Sequence, residues 1–320
     1  MTSPSVPVVT LALDHDRAAL AAAARAGEMV RVRRGAYCLP GAVRDDGPGG
    51  VPRELRRLAL ARIRAVSGQL RAEAVFARES AALLLGCRVW SPPTATHVYQ
   101  RYRPSGRAAA DVRRHAWTLT AEEITAVAGI PVTSLVRTVV DCARSMTPLG
   151  SLVITDSALG LGLRRETLLD ALDRQVDRRG VRRARRVIEC ADGGAQSAWE
   201  TWVRYEMLCA GLPRPTTQME VSTDAGRFHT DLGYERWALG IEFDGRVKYR
   251  PGGVRLGHDP ATEYMAEKER AEAIRRAGVA VERFTAADRR DVRGLLGRIT
   301  GHLPPEVVAA ARPDPLLRGR

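Results

Sequence analysis

The stretch from Ser197 to Phe243 constrains this chain most, because its punctuation fixes the elements and its alternation then assigns each side chain to a face. Ser197 can cap a helix that runs to Leu208, and Gly211 can end it in the left-handed conformation. Thr216 to Ser222, a Thr223-Asp-Ala-Gly226 turn, Arg227 to Gly233 and Ala238 to Phe243 then read as a three-strand meander. With a two-residue Glu235-Arg236 turn, Tyr234 faces Trp237 and Asp231 faces Gly240. Parity places Phe228, Thr230, Leu232, Leu239, Ile241 and Phe243 on a core face, and His229, Asp231, Gly233, Gly240, Glu242 and Asp244 on the other. Asp231 and Glu242 become diagonal neighbours, about 7 to 8 Å apart at the backbone.

Like charges at that spacing repel, so the acidic face needs water, an arginine or a metal. Mg²⁺ suits the donor set, since it takes oxygen ligands from one or two carboxylates and keeps waters or substrate phosphate. Gly233 and Gly240 remove side chains from this face, which opens it to a phosphate backbone. A metal held there would polarise a phosphoryl oxygen and activate water for phosphodiester hydrolysis. Each acid also has a structural alternative. Glu200 lies three residues after Ser197 and completes a capping box. Glu242 and Asp244 can be the solvent face of an edge strand, and Asp244-Gly245 a turn. His229 and His258 are further candidate bases.

Composition sets the surroundings. The chain has 320 residues and a net charge of +13, and only Lys248 and Lys268 among its 50 cations are lysine. Arginine is spread too widely to locate a site, but the excess charge attracts polyanions. No run approaches the ~18 to 20 apolar residues of a membrane span, and the first residues lack the pattern of a signal peptide. Cys38, Cys87, Cys142, Cys190 and Cys209 show no metal-binding or disulfide spacing and read as reduced core residues. A cytoplasmic location without membrane contact is expected.

Upstream, Asp14 can cap a helix over Arg17 to Arg25 that Gly27 stops, and a basic hairpin follows with Arg34-Gly35 as its turn. A solvated hairpin is the structural alternative. Arg31-Val-Arg-Arg-Gly-Ala-Tyr-Cys-Leu-Pro-Gly41 resembles the wing of the winged-helix domain in AbiEi-type antitoxins. The resemblance implies DNA contact through Arg31, Arg33 and Arg34. After a flexible linker at Arg44 to Pro52, a helix carries Leu55, Leu58, Ile63 and Val66 on one face. Arg53, Arg56, Arg57, Arg62 and Arg64 crowd the rest of that helix, as on a solvated surface. In Gly129 to Arg144, Thr133 and Ser134 cap a helix on which Arg137, Thr138 and Asp141 can pair. This string and Ile154-Thr-Asp-Ser-Ala-Leu159 resemble the middle region of the same family, which implies a cognate toxin protein as a partner. Two arginine-loaded helices are expected at Arg164 to Asp177 and Val181 to Cys190, and Arg178 to Arg186 holds six cations in nine positions, the cheapest place for phosphate contacts.

The pattern Asp231, Glu242-Phe-Asp244, with a glutamate on the preceding helix, resembles the PD-(D/E)xK nucleases. Gly240 to Tyr249 and Glu267 to Arg283 are most similar to the branch of very-short-patch-repair endonucleases. The resemblance implies metal ligands at Asp231 and Glu242, an outer acid at Glu200, and Asp244 where that superfamily has lysine. Lys248 would then assist as the nearby cation. The expected fold class is α/β (α+β). It divides into a partial winged-helix element at 1–41, an AbiEi-like mixed α/β middle region at 42–195, a restriction-endonuclease-like α/β domain at 196–304, and a tail at 305–320. The leading expectation is a Mg²⁺-dependent DNA endonuclease. The alternative is a non-enzymatic antitoxin-like regulator on an inactive nuclease fold, which arginine filling the acid cluster would favour.

Overall fold

The computed structural model describes residues 6–41, 53–102, 109–116, 118–244 and 260–318. The linker at Arg44 to Pro52, Gly245, Lys248 and His258 lie outside the described residues. The fold is α+β, with three sheets among the described residues and helices packed between and around them.

A small sheet comes first, ordered β1 (Thr10–Leu11), β3 (Ala36–Cys38), β2 (Val30–Arg33). Helix α1 (Arg17–Arg25) is capped by Asp16, whose Oδ1 accepts the Ala18 N–H at 2.8 Å. The expected cap, Asp14, sits two residues too early, with its own N–H donated to Leu11 O at 3.2 Å. Gly35 makes the hairpin turn at φ +71° and Gly27 follows α1 at φ +78°. Helix α2 (Arg53–Gln69) is buried on two sides rather than one. Ala61 and Ala65 lie against Val32, Ala36 and Cys38, where small side chains let the helix approach the sheet closely. Leu60, Ile63 and Val66 enter the core of the middle region. The α2 arginines are not merely solvated. Arg56 donates to Cys87 O at 2.8 Å and Arg64 to Ala128 O at 3.0 Å, so these cations fasten loops to the helix.

The middle sheet runs β6 (Val112–Ala116), β5 (Thr96–Gln100), β4 (Val75–Phe76), β8 (Ile130–Thr133), β7 (Ile124–Val127). Helix α3 (Arg78–Leu84) follows β4. After β8 come α4 (Leu135–Ser145), α5 (Pro148–Gly160), α6 (Arg165–Asp173) and α7 (Val181–Cys190). Ser134 caps α4, accepting the Arg137 N–H at 3.4 Å, as its sequence position requires.

Helix α8 (Ala198–Ala210) opens the last unit, capped by Ser197 and ended by Gly211 at φ +78°. The meander β9 (Thr216–Thr223), β10 (Gly226–Tyr234), β11 (Leu239–Phe243) follows, then α9 (Pro260–Arg276), β12 (Ala280–Phe284), α10 (Val292–Thr300) and α11 (Pro305–Ala310). The sheet order is β12-β11-β10-β9, with β11 and β12 parallel and the other pairs antiparallel. One face packs on α8 and α10 through Trp202, Met207, Leu239, Ile241, Phe284 and Leu295. The other meets α9, where Ile274 touches Met219 and Val221.

Two expectations about this meander need correction. The β10–β11 turn is a 3₁₀ turn, Glu235–Trp237, closed by Ala238 at φ +46°, so the register moves by two residues. Gly233 therefore pairs with Gly240, and Tyr234 with Leu239 rather than Trp237. The alternation along β10 also breaks at Asp231. Leu232 and Tyr234 lie in the α8 core, whereas Phe228 packs on the α9 side. A Cβ on Gly240 would come 2.7 Å from Thr230 Cγ2, which puts Thr230 on the α9 side too. Gln218, opposite Asp231 in the β9 register, has φ +48°, a conformation that non-glycine residues rarely adopt and that marks the irregularity. The two glycines serve close packing rather than access, since a Cβ on Gly233 would meet Met219 Sδ at 2.4 Å.

At residues 195–196 the chain is tightly packed. Asp156 of α5 is fully buried and accepts from Arg204 of α8 through both carboxylate oxygens, at 2.7 and 2.6 Å. Thr201 Oγ1 and the Asp192 N–H complete its shell at 2.9 and 2.8 Å. The end of the chain folds back on the same place, with Leu317 buried among Leu152, Val187 and Leu208. Among the described residues no helix is long and apolar enough to cross a membrane.

Candidate functional site

The acids singled out in the sequence meet where β10 and β11 run past each other, but not as a single face. Asp231 sits at the strand irregularity and points along the sheet, its Oδ2 accepting the Phe243 N–H at 2.7 Å. Its neighbour Leu232 pairs with Ile241, the residue before Glu242. Glu242 projects to the α9 side, with Arg283 its partner on β12. Glu200 belongs to the opposite side. Its Oε2 accepts the Gln196 N–H at 2.7 Å while its own N–H donates to Ser197 Oγ at 3.1 Å. That is the capping role in a slightly shifted form. Glu200 is also electrostatically coupled to Asp231. Burial raises its carboxyl pKa most, the Gln196 N–H opposes that, and the Asp231 charge raises it further. Asp244 continues the edge of β11, its N–H donated to Phe284 O at 2.7 Å.

The cation that answers these acids is one that sequence reading missed. Arg270, on α9, donates to Glu242 Oε1, to Glu267 Oε1 at 3.2 Å and to the His229 carbonyl at 2.9 Å. Arg283 donates to Glu242 Oε2 at 3.1 Å and to Glu267. Both oxygens of Glu242 are thus held by guanidinium groups, and the Glu242 side chain retains 14% of its exposure. Burial works against the Arg270 cation. Its hydrogen bond to Glu242 and the charges of Glu242, Glu267 and Asp231 outweigh that, and the guanidinium pKa is raised. Two signals were available. Glu267 and Arg270 stand at helical i,i+3 spacing, and Arg283 shares the parity of Glu242 once β11 and β12 are paired in parallel.

This arrangement does not fit Mg²⁺ as it stands. A divalent ion needs carboxylate oxygens facing one point, and here Glu242 gives both of its oxygens to arginines while Glu200 is occupied as a cap. Among the described residues no three Asp, Glu, His or Cys side chains form a group able to hold a metal.

The predicted wing arginines divide. Arg33 is fastened to Asp111 of the middle region, Nε to Oδ2 at 3.1 Å and Nη2 to Oδ1 at 3.2 Å. Arg31 and Arg34 are exposed. In the middle region, Asp141 accepts from Arg137 Nε and from Tyr99 Oη, both at 2.9 Å, while Arg137 also donates to Glu123 at 2.6 Å. Beside them, His97 Nδ1 and His115 Nε2 are 3.1 Å apart. Burial, with the charges of Arg78 and Arg113, lowers both imidazole pKa values to about 4.

No family model matches the chain. Two uncharacterized proteins of Mycobacterium tuberculosis, MT2308 of strain CDC 1551 / Oshkosh and Rv2248 of strain ATCC 25618 / H37Rv, are each 29% identical over 180 residues, which is 55% of this chain and 63% of theirs. The match thus spans less than two thirds of those relatives. The crystal structure of the RV2827C protein from Mycobacterium tuberculosis aligns with a TM-score of 0.35 at 16% identity, over 58% of this chain and 72% of that one.

Proposed function

We propose that this chain is a DNA-associated regulator of the antitoxin-like kind, in which the nuclease-like C-terminal sheet serves as a scaffold and does not hydrolyse DNA. The observation that carries the reading is the pairing of both Glu242 oxygens with Arg270 and Arg283. A carboxylate neutralised in this way lends rigidity to the β11–α9–β12 junction and offers no oxygen to an ion. The +13 charge supports association with a polyanion. The wing resemblance supports Arg31 and Arg34 as its contacts, with Arg33 anchoring the wing. A cognate toxin and a cytoplasmic location belong to the same proposal. The five cysteines are free and buried, which suits a reducing compartment.

The endonuclease reading keeps one observation in its favour, the electrostatic coupling of Glu200 to Asp231. Retention of the protein's own promoter DNA in a gel-shift assay tests the regulator reading. Specific retention should weaken with R31A/R34A and fall steeply with salt. Retention that is indifferent to both would remove the wing from the account.

A further inference from the structure

A cleft of about 870 Å³ opens between α3, α4 and the start of α7, far in sequence from the acids and the wing. Its lining contains Arg78, Arg144, Arg178, Arg179, Arg182 and Arg183, with Tyr99 and His115 on the wall. Its two carboxylates are already engaged. Asp141 is held by Arg137 and Tyr99, and Asp177 accepts from Arg144 at 3.0 Å and from the Arg179 N–H at 2.9 Å. A large positive excess therefore faces a concave surface of ligand size. Charge alone is common in this chain, and local features of the cleft add to it. The Nε atoms of Arg78 and Arg183 are buried without a hydrogen-bond partner among the described residues, while Arg183 Nη2 donates to Arg144 O at 3.1 Å. Arg78 holds φ +52°, a left-handed conformation that a non-glycine residue rarely adopts. Helix α7 begins at Gly180 with no side-chain cap, its Val181 N–H is taken by Arg178 O at 3.2 Å, and the positive end of its dipole faces the cleft. Glycine is required at that corner, because a Cβ would lie 2.4 Å from Arg144 O.

We infer that this cleft binds the phosphoryl group of a nucleotide, with Arg78, Arg183 and the start of α7 gripping it and Arg178 and Arg182 at the mouth. The chemistry is the same for a free nucleotide and for the terminal phosphate of a nucleic-acid strand. It does not depend on whether the wing contacts DNA.

Calorimetric titration of the full chain with inorganic pyrophosphate tests this, followed by competition with adenosine 5′-diphosphate and with a 5′-phosphorylated single-stranded oligonucleotide. Saturable binding at one site is expected, weakened roughly tenfold or more by R78Q and by R178Q/R182Q, since each loses charge-assisted contacts. Arg178 and Arg182 are exposed and make no ion pair among the described residues, so R178Q/R182Q keeps the test independent of folding. R31A/R34A should bind pyrophosphate unchanged. Displacement by the diphosphate identifies a free nucleotide as the source, and displacement by the oligonucleotide alone identifies a strand end. Absence of saturable binding, equal binding by the cleft variants, or pyrophosphate displaced by neither competitor would overturn the inference.

Discussion

Two acid–arginine clusters look alike in composition and differ in burial, and the difference separates structure from surface chemistry. Asp156 and Arg204 retain 0% and 2% side-chain exposure and are surrounded by further donors, so the pair is a dry rivet between α5 and α8. Glu242, Arg270, Glu267 and Arg283 form an open chain of alternating charge, and Arg283 keeps 41% exposure. Water can compensate a missing partner there and cannot at Asp156. A buried pair broken on one side leaves an uncompensated charge, whereas an exposed pair contributes little.

The largest expected effect of breaking this contrast is therefore at the rivet. Asp156→Ala should destabilise the fold by about 3 to 5 kcal/mol in chemical unfolding, because Arg204 is then charged and buried without its acid. Glu242→Ala should cost only about 1 kcal/mol after allowance for solvent screening at the open cluster. Equal losses would mean that the two clusters are not physically distinct. Arg33→Ala should cost about 1 kcal/mol by releasing Asp111, and proteolysis should then detach the wing sooner. Removing the exposed Arg164, which pairs with Glu166 at 3.5 Å, should leave the melting temperature unchanged.

A pH profile sharpens the picture for the histidine pair. The folded rings titrate at about 4 and unfolded ones near 6.5, so on acidification the unfolded chain takes up protons first. The stability from keeping these rings neutral is complete above about pH 6.5 and is lost as pH falls toward 4. Melting temperature should decline across that window, and H97Q/H115Q should flatten the decline. An unflattened curve would show that other groups govern the acid limb.

What the sequence disclosed was local. The Ser197 cap, the Gly211 stop, the Arg34-Gly35 turn and the Arg137 to Asp141 pairing depend on neighbours a few residues apart, and each is found where the spacing put it. What stayed hidden was set by distant packing. The two-residue turn at Glu235-Arg236 failed because Ala238 adopts the left-handed conformation and extends the turn. Parity failed at Asp231 because the strand rotates there, opposite Gln218, to serve cores on both faces. The sequence placed acids near one another but could not say that Arg270, 28 residues beyond Glu242, would reach back to them.

The central claim is that arginines, rather than a metal, answer these acids. Supercoiled plasmid incubated with the purified full chain and Mg²⁺ or Mn²⁺, beside the Asp231→Ala variant, tests it most directly. Intact plasmid is expected with both proteins. Metal-dependent nicking by the native chain that disappears in Asp231→Ala would contradict it.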